Sequence, residues 1–104
     1  MSLGLQIIEN KDENSIHIGV SGEVDIYTCQ ELKEKLYKAI DENGVDLVLD
    51  CEDLNYIDST GLGVFVAVLK KIKLIGKEIR IEHLKESIKK LFVITSLDSL
   101  FNIK

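Results

Sequence analysis

The hydrophobic period of this chain switches between two and about 3.6 residues, and that switching fixes the fold class. Ile16, Ile18 and Val20 alternate with His17, Gly19 and Ser21, the pattern of a strand with one dry face. From Thr28 to Glu42 the spacing becomes helical. Leu32, Leu36, Ala39 and Ile40 form the apolar stripe, and Glu31, Lys33, Glu34, Lys35 and Lys38 fill the polar side. Thr28 is the expected N-cap, and Asn43-Gly44 the stop. Val45 to Cys51 reads as a strand again, with Leu47, Leu49 and Cys51 on one face and Val48 on the other. Leu62 to Leu69 is apolar apart from Gly63. Because Phe65, Val68, Leu69, Ile72 and Ile75 keep helical spacing, the pattern predicts one helix from about Thr60 to Ile75, closed by Gly76. Glu78 to Glu82 alternates as a strand. Leu84, Ile88, Leu91 and Phe92 mark a third helix, and Leu97 to Ile103 a turn with a short edge strand. At the other end, Leu5, Ile7 and Ile8 form a first strand. The polar turn from Lys11 to Asn14 joins it to the next strand as an antiparallel hairpin.

Strands separated by helices call for a parallel sheet with right-handed crossovers. A parallel sheet covered on both faces reads as unbroken apolar runs. These strands alternate, so one face is expected to be wet and the helices to gather on the other. The expected architecture is α/β: a mixed, mostly parallel sheet in sequential order 1-2-3-4, with room for a fifth strand and helices mainly on one face. With 104 residues, 45% of them hydrophobic and 30% charged, the chain suits one soluble domain over residues 1–104. No run of 18 apolar residues occurs, so no membrane-spanning helix is expected. Met1-Ser2-Leu3-Gly4 lacks the basic and apolar segments of a secretory signal and is given no function. Cys29 and Cys51 fit no zinc or redox spacing and are expected to be buried, reduced thiols of a cytoplasmic protein. A net charge of -5 argues against nonspecific binding to nucleic acid or anionic membrane.

The loops at the carboxyl ends of the strands are where such a sheet places a site. Three segments meet there: Gly22-Glu23-Val24-Asp25, the run from Asp53 to Gly61, and His83-Leu84-Lys85. Ser59 stands at the expected N-cap of the second helix, a role worth about 1 kcal/mol, with Asp58 as a helix-start carboxylate. Gly61 and Gly63 each cost a helix about 1 kcal/mol against Ala. A bare Gly61 allows another backbone to approach closely, either a partner's or that of the chain's own sheet. Ser59, His83 and Asp25 have the chemistry of nucleophile, base and orienter. The nucleophile-elbow pattern, however, needs glycine two residues before the serine, where Ile57 stands. No glycine-rich phosphate loop is present, and no cofactor or metal is implied. Lys70, Lys71, Lys73 and Lys77 read as the solvated face of the second helix, and His17 as a wet-face residue.

The run Tyr56-Ile57-Asp58-Ser59-Thr60-Gly61-Leu62-Gly63 resembles the signature of bacterial anti-sigma factor antagonists of the STAS domain family. Gly22-Glu23-Val24-Asp25 resembles the family's second marked segment, and Ile75-Gly76-Lys77-Glu78-Ile79 its helix-to-strand turn; the likeness runs from about Leu5 to Ile103. It implies that Ser59 is phosphorylated by a partner anti-sigma factor that is itself an ATP-using serine kinase. It further implies that the unphosphorylated protein binds that partner and frees a sigma factor, and that a serine phosphatase resets the switch. Asp25, Asp58, Thr60, Gly61 and Leu62 are the implied partner-binding residues, with Asp25 beside the serine. Family members usually end in a further helix, whereas this sequence stops at Lys104. Apolar surface near Phe101 and Ile103 is therefore expected to be left for something else, such as another subunit, to cover. The alternative within the family is a scaffold or ligand-sensing module of another stress-signalling system.

Overall fold

The computed structural model describes residues 6–11 and 14–103. Residues 1–5, with Leu5 of the expected first strand, and Asp12 and Glu13 of the expected turn lie outside the described residues, as does Lys104. Strand β1 (Gln6–Lys11) pairs antiparallel with β2 (Ser15–Val24). β2 is long enough to serve two parallel partners besides β1. Its first half runs parallel to β3 (Asp46–Asp50), with Gly19 opposite Asp50. Its second half runs parallel to β4 (Leu54–Ile57), with Val24 opposite Ile57. β3 in turn pairs with β5 (Ile79–Glu82), and β5 with β6 (Asn102–Ile103), both parallel.

With β4 set aside, the strands follow sequence order, as the crossover argument requires. β4 itself is a correction, because this segment reads as loop in the sequence. Leu54 and Ile57 are buried while Asn55 and Tyr56 are exposed, so no two-residue alternation marks it. The chain leaves β3, turns through Cys51–Asp53 and resumes alongside β2. There the Gly22 N–H donates to the Asp53 carbonyl at 2.9 Å. Gly22 has φ +97°, and the pairing register shifts between Gly22 and Glu23, so glycine supplies a left-handed backbone where β2 changes partner.

Three helices cross between the strands: α1 (Cys29–Asn43), α2 (Ser59–Leu74) and α3 (Glu86–Ile94). One buried cluster joins Ile16, Ile18 and Val20 of β2, Leu47 and Leu49 of β3, and Ile79 and Ile81 of β5 to all three helices. The helices contribute Leu32 and Leu36, Phe65, Val68 and Ile72, and Ile88 and Phe92. The helices therefore share one face of the sheet. On the other face His17, Ser21, Arg80 and Glu82 are half-buried, and Val48 is buried outside the main cluster.

Several local expectations are corrected. Thr28 occupies the cap position of α1 without capping it, since its hydroxyl donates back to the Glu23 carbonyl at 2.7 Å. Cys29 is half-buried rather than buried. Cys51 is buried, and burial, helped by the charge of Asp50, pushes its thiol up to about 12. Phe101 itself is buried, only 6% exposed, and the expected apolar surface lies beside it at Leu100, 52% exposed. The Phe101 ring lies 6.4 Å from Phe65 and 5.8 Å from Phe92, in edge-on geometry. Ile103 packs partly buried against the same cluster.

Candidate functional site

Pairing of Val24 with Ile57 sets two helix starts side by side. The Asp58 N–H donates to the Val24 carbonyl at 3.3 Å, so Asp25 and Asp58 leave neighbouring strands at the same level. Asp58 has extended backbone, φ -115° and ψ -170°, and is the last residue before α2. Its Oδ1 accepts from the N–H groups of Thr60 at 3.0 Å and Gly61 at 3.2 Å, and from the Thr60 hydroxyl. The Thr60 hydroxyl first, then these backbone donors, hold the Asp58 carboxyl below its ordinary range. Asp58 is thus the N-cap, and the expectation that Ser59 caps is corrected. β4 ends at Ile57, which leaves Asp58 as the single extended residue whose carboxylate meets the free N–H groups. Ser59 is the first helical residue. It is exposed, and among the described residues its hydroxyl makes no hydrogen bond.

Asp25 builds the neighbouring turn. Its Oδ1 accepts from the N–H groups of Tyr27 at 2.8 Å and Thr28 at 3.2 Å, while its own N–H donates to the Thr28 hydroxyl at 3.0 Å. Strand pairing brings Asp25 next to the Ser59 segment, but its carboxylate orders its own turn rather than the serine hydroxyl. Between Asp25 and Thr28 stand Ile26 and Tyr27, 66% and 87% exposed. Sequence reasoning passed over this pair. The signal available was two large apolar residues held between an aspartate and a threonine at a helix start.

Thr60 is exposed, whereas Gly61 and Leu62 are buried. A Cβ on Gly61 would lie 2.6 Å from Ile57 Cγ1, 2.8 Å from Val24 Cγ1 and 2.9 Å from the Val24 carbonyl oxygen. The close approach at Gly61 is made by the chain's own sheet, the second of the two readings open from the sequence. Gly63, two residues on, is exposed with nothing within 4 Å of its would-be Cβ.

The third expected segment stands apart. Asp50 and Ile57 pair with positions 19 and 24 of β2, a separation of about 16 Å at about 3.3 Å per residue. His83, at φ +64°, sets Nδ1 3.0 Å from Asp50 Oδ1. That hydrogen bond, then the Asp50 charge, raises the His83 pKa. Asp50, Glu52 and His83 could share a cation, since one ligand atom from each lies within 4.8 Å of the others. The Lys85 ammonium sits beside them, donating to the Glu52 carbonyl at 2.9 Å, and opposes a second positive charge. Ser59, His83 and Asp25 form no hydrogen-bonded triad.

Of the lysine row, Lys71 reaches Asp41 at 2.9 Å and lies over the Tyr37 ring, and Lys73 pairs with Glu78 at 3.3 Å. These are contacts of a solvated helix face. Among the described residues, no helix is long and apolar enough to cross a membrane.

The edge therefore presents an exposed serine at the start of the second of three helices packed on one face of a mixed sheet. The STAS domain model matches residues 6–104. The anti-sigma-B factor antagonist of Bacillus subtilis is 39% identical over 103 residues, covering 99% of this chain and 92% of the relative. The protein of the same name from Listeria monocytogenes is 36% identical over 104 residues, covering 100% and 90%. Among solved structures, the unphosphorylated form of the anti-sigma factor antagonist SpoIIAA superposes with TM-score 0.81 at 19% identity, covering 97% of this chain and 88% of that one. The phosphorylated form of the Bacillus cell fate determinant SpoIIAA gives TM-score 0.74 at 19% identity, covering 97% and 91%. The chain belongs to the STAS domain family and, by homology, to its anti-sigma factor antagonists.

Proposed function

We propose that this protein binds an anti-sigma factor through the edge formed by the starts of α1 and α2, thereby freeing a sigma factor, and that phosphorylation of Ser59 ends the binding. The observation that carries the reading is the uncommitted Ser59 hydroxyl, exposed on the first turn of a helix capped by its neighbour. Asp25, Asp58 and Thr60 surround it on the same edge. Leu62 contributes only what 8% exposure allows, and Gly61 supports the edge from beneath.

Among the described residues, no group is placed to activate this serine. Asp58 is occupied by three donors and is too weakly basic to take the hydroxyl proton, and His83 is held elsewhere by Asp50. The chemistry therefore belongs to the partner, an anti-sigma factor that is a serine kinase. Its base accepts the Ser59 proton, the Ser59 oxygen bonds to the γ-phosphorus of ATP, and ADP leaves. A serine phosphatase reverses the modification. The protein acts in the cytoplasm, where the sigma factor works, and touches neither nucleic acid nor membrane.

The phosphate adds about -1.5 to -2 charges at the first turn of α2. Free N–H groups and the helix dipole favour it there, while Asp58 and Asp25 oppose it, so the fold changes little. A partner pressed on this edge must desolvate a dianion, and without matching cations the complex separates. The test is incubation with the purified anti-sigma factor kinase and ATP, phosphate mapping by mass spectrometry, and affinity before and after. The expected result is phosphate on Ser59 and weaker binding with an unchanged melting temperature. Ser59→Ala should bind persistently and remain unmodified. Phosphate elsewhere, or equal affinity in both forms, would defeat the switch and favour a scaffold role.

A further inference from the structure

We propose that Ile26 and Tyr27 are an apolar anchor that seats in a pocket on the anti-sigma factor kinase and sets the affinity of the complex, separately from the Ser59 switch. The inference rests on the proposed function and adds to it the part of the surface that holds the partner. Ile26 is 66% and Tyr27 87% exposed, in adjacent positions of one short turn. Tyr56, on the neighbouring strand β4, adds a third apolar side chain at 48% exposure.

The turn is not a loose loop. The Asp25 carbonyl accepts from the N–H groups of Thr28 at 3.2 Å and Cys29 at 2.8 Å. The Asp25 carboxylate takes those of Tyr27 and Thr28, and the buried Thr28 fastens the turn to Glu23. Every one of these bonds is internal, and their joint effect is to hold two large apolar side chains outward. A preordered display loses little conformational freedom when it is covered. Tyrosine suits the task, having few rotatable bonds and a large face.

The kinase is the occupant that the geometry favours. A kinase that transfers phosphate to Ser59 must enclose the start of α2, and strand pairing of Val24 with Ile57 puts the Asp25–Thr28 turn directly beside it. The Asp25 and Asp58 carboxylates each commit one oxygen to the chain's own N–H groups, and Ile26 and Tyr27 are the most exposed large apolar groups beside them. Contacts made equally before and during phosphoryl transfer alter KM and leave kcat in place. Ser59, by contrast, governs transfer and the later separation.

The experiment compares wild type, Tyr27→Ala, Ile26→Ala and Tyr27→Phe against the purified anti-sigma factor kinase with ATP. Kd, the KM and kcat of Ser59 phosphorylation, the melting temperature and the sedimentation of the free proteins are recorded. Tyr27→Ala should weaken binding about 30-fold, the size of an interface hot spot, and Ile26→Ala about 10-fold. KM should rise in parallel, with kcat and melting temperature held. Tyr27→Phe should stay within about threefold of wild type, as an apolar anchor requires. If the kinase binds and phosphorylates wild type and the alanine variants alike, the anchor is overturned and the antagonist reading stands. If the kinase neither binds nor modifies the wild type, the antagonist reading fails and takes the anchor with it. If the variants change only self-association of the free protein, the pair belongs to a contact between two copies, and the proposal is again overturned.

Discussion

The helix start at Asp58 and the strand end at Asp50 each set an aspartate beside a side chain with chemistry of its own, and they use it in opposite ways. Asp58 spends its carboxylate on the backbone of α2 and on Thr60, leaving Ser59 exposed and passive. Asp50 spends part of its carboxylate on the Glu52 N–H and part on the His83 ring, whose proton affinity it raises. One corner keeps a hydroxyl free of hydrogen bonds within the described residues. The other ties up its only imidazole. The lesson is that a serine, a histidine and two aspartates on one sheet edge do not make a catalytic set. What matters is which donor each carboxylate already serves.

The corners also differ in what lies beneath them, and this gives the largest expected effect. The first turn of α2 rests on Val24 and Ile57 with no room for a Cβ at Gly61. The Val24 carbonyl cannot move aside without breaking its bond to Asp58. Gly61→Ala should therefore cost about 1–3 kcal/mol, the usual range for overpacking. That corresponds to a fall in melting temperature of about 4–8 °C per kcal/mol in a domain near this size. A melting temperature within about a degree of wild type would mean that α2 can lift from the sheet, and the rigid display of Ser59 would have to be given up.

Next in size is the cap. Asp58→Ala removes the acceptor for Thr60 and Gly61 and should cost about 1 kcal/mol in denaturant unfolding, while Ser59→Ala should cost close to nothing. The reverse order would restore Ser59 as the cap. Acid gives an independent check. The folded pKa of Asp58 is depressed, so its contribution is present above the unfolded carboxyl value, about 3.9, and is lost as pH falls through the folded value. The acid limb of the stability profile should be shallower in Asp58→Asn.

The same helix supplies a third measurement, of opposite sign. Gly63 faces open space, so Gly63→Ala should stabilise the fold by about 0.5–1 kcal/mol through lower backbone entropy in the unfolded chain. A loss in place of this gain would show that the two glycines share one packing role.

These contrasts mark how far the sequence could be read. Strong periodicity carried most of the fold. Ile16, Ile18 and Val20 placed β2, the stripe from Leu32 to Ile40 placed α1 to within a residue or two, and alternating strands put the helices on one face. β4 escaped because its buried residues are three apart and because it continues along β2 after β3 has left. The site segments were legible as residues, but not the division of labour among them. Asp58 and Ser59 are both good caps, and only the end of β4 at Ile57 decides which one has the extended backbone. Gly61 reads the same whether it opens toward a partner or closes on the sheet. Ile26 and Tyr27 resemble ordinary turn filling until the bonds of Asp25 and Thr28 are seen to hold them outward.

The smallest expected effect belongs to the other corner and follows from the sign of the His83 shift. The His83 pKa is raised above its ordinary 6.5 by the hydrogen bond to Asp50 and then by the Asp50 charge, with Glu82 and Glu52 adding to it. A raised pKa means that the folded chain holds the proton more tightly than the unfolded one. The contribution is then complete below pH 6.5 and is lost as pH rises through the folded value. Because the ring is exposed, salt screens the pairing, and the effect on stability is slight. The readout is therefore the titration itself, followed by the imidazole resonances in wild type and in Asp50→Asn. In the variant the His83 midpoint should move down toward 6.5, while Ser59 phosphorylation by the kinase keeps its rate. A phosphorylation rate that followed the His83 titration, and lost that dependence in Asp50→Asn, would join the two corners into one site. An unmoved midpoint would remove Asp50 as the cause of the shift.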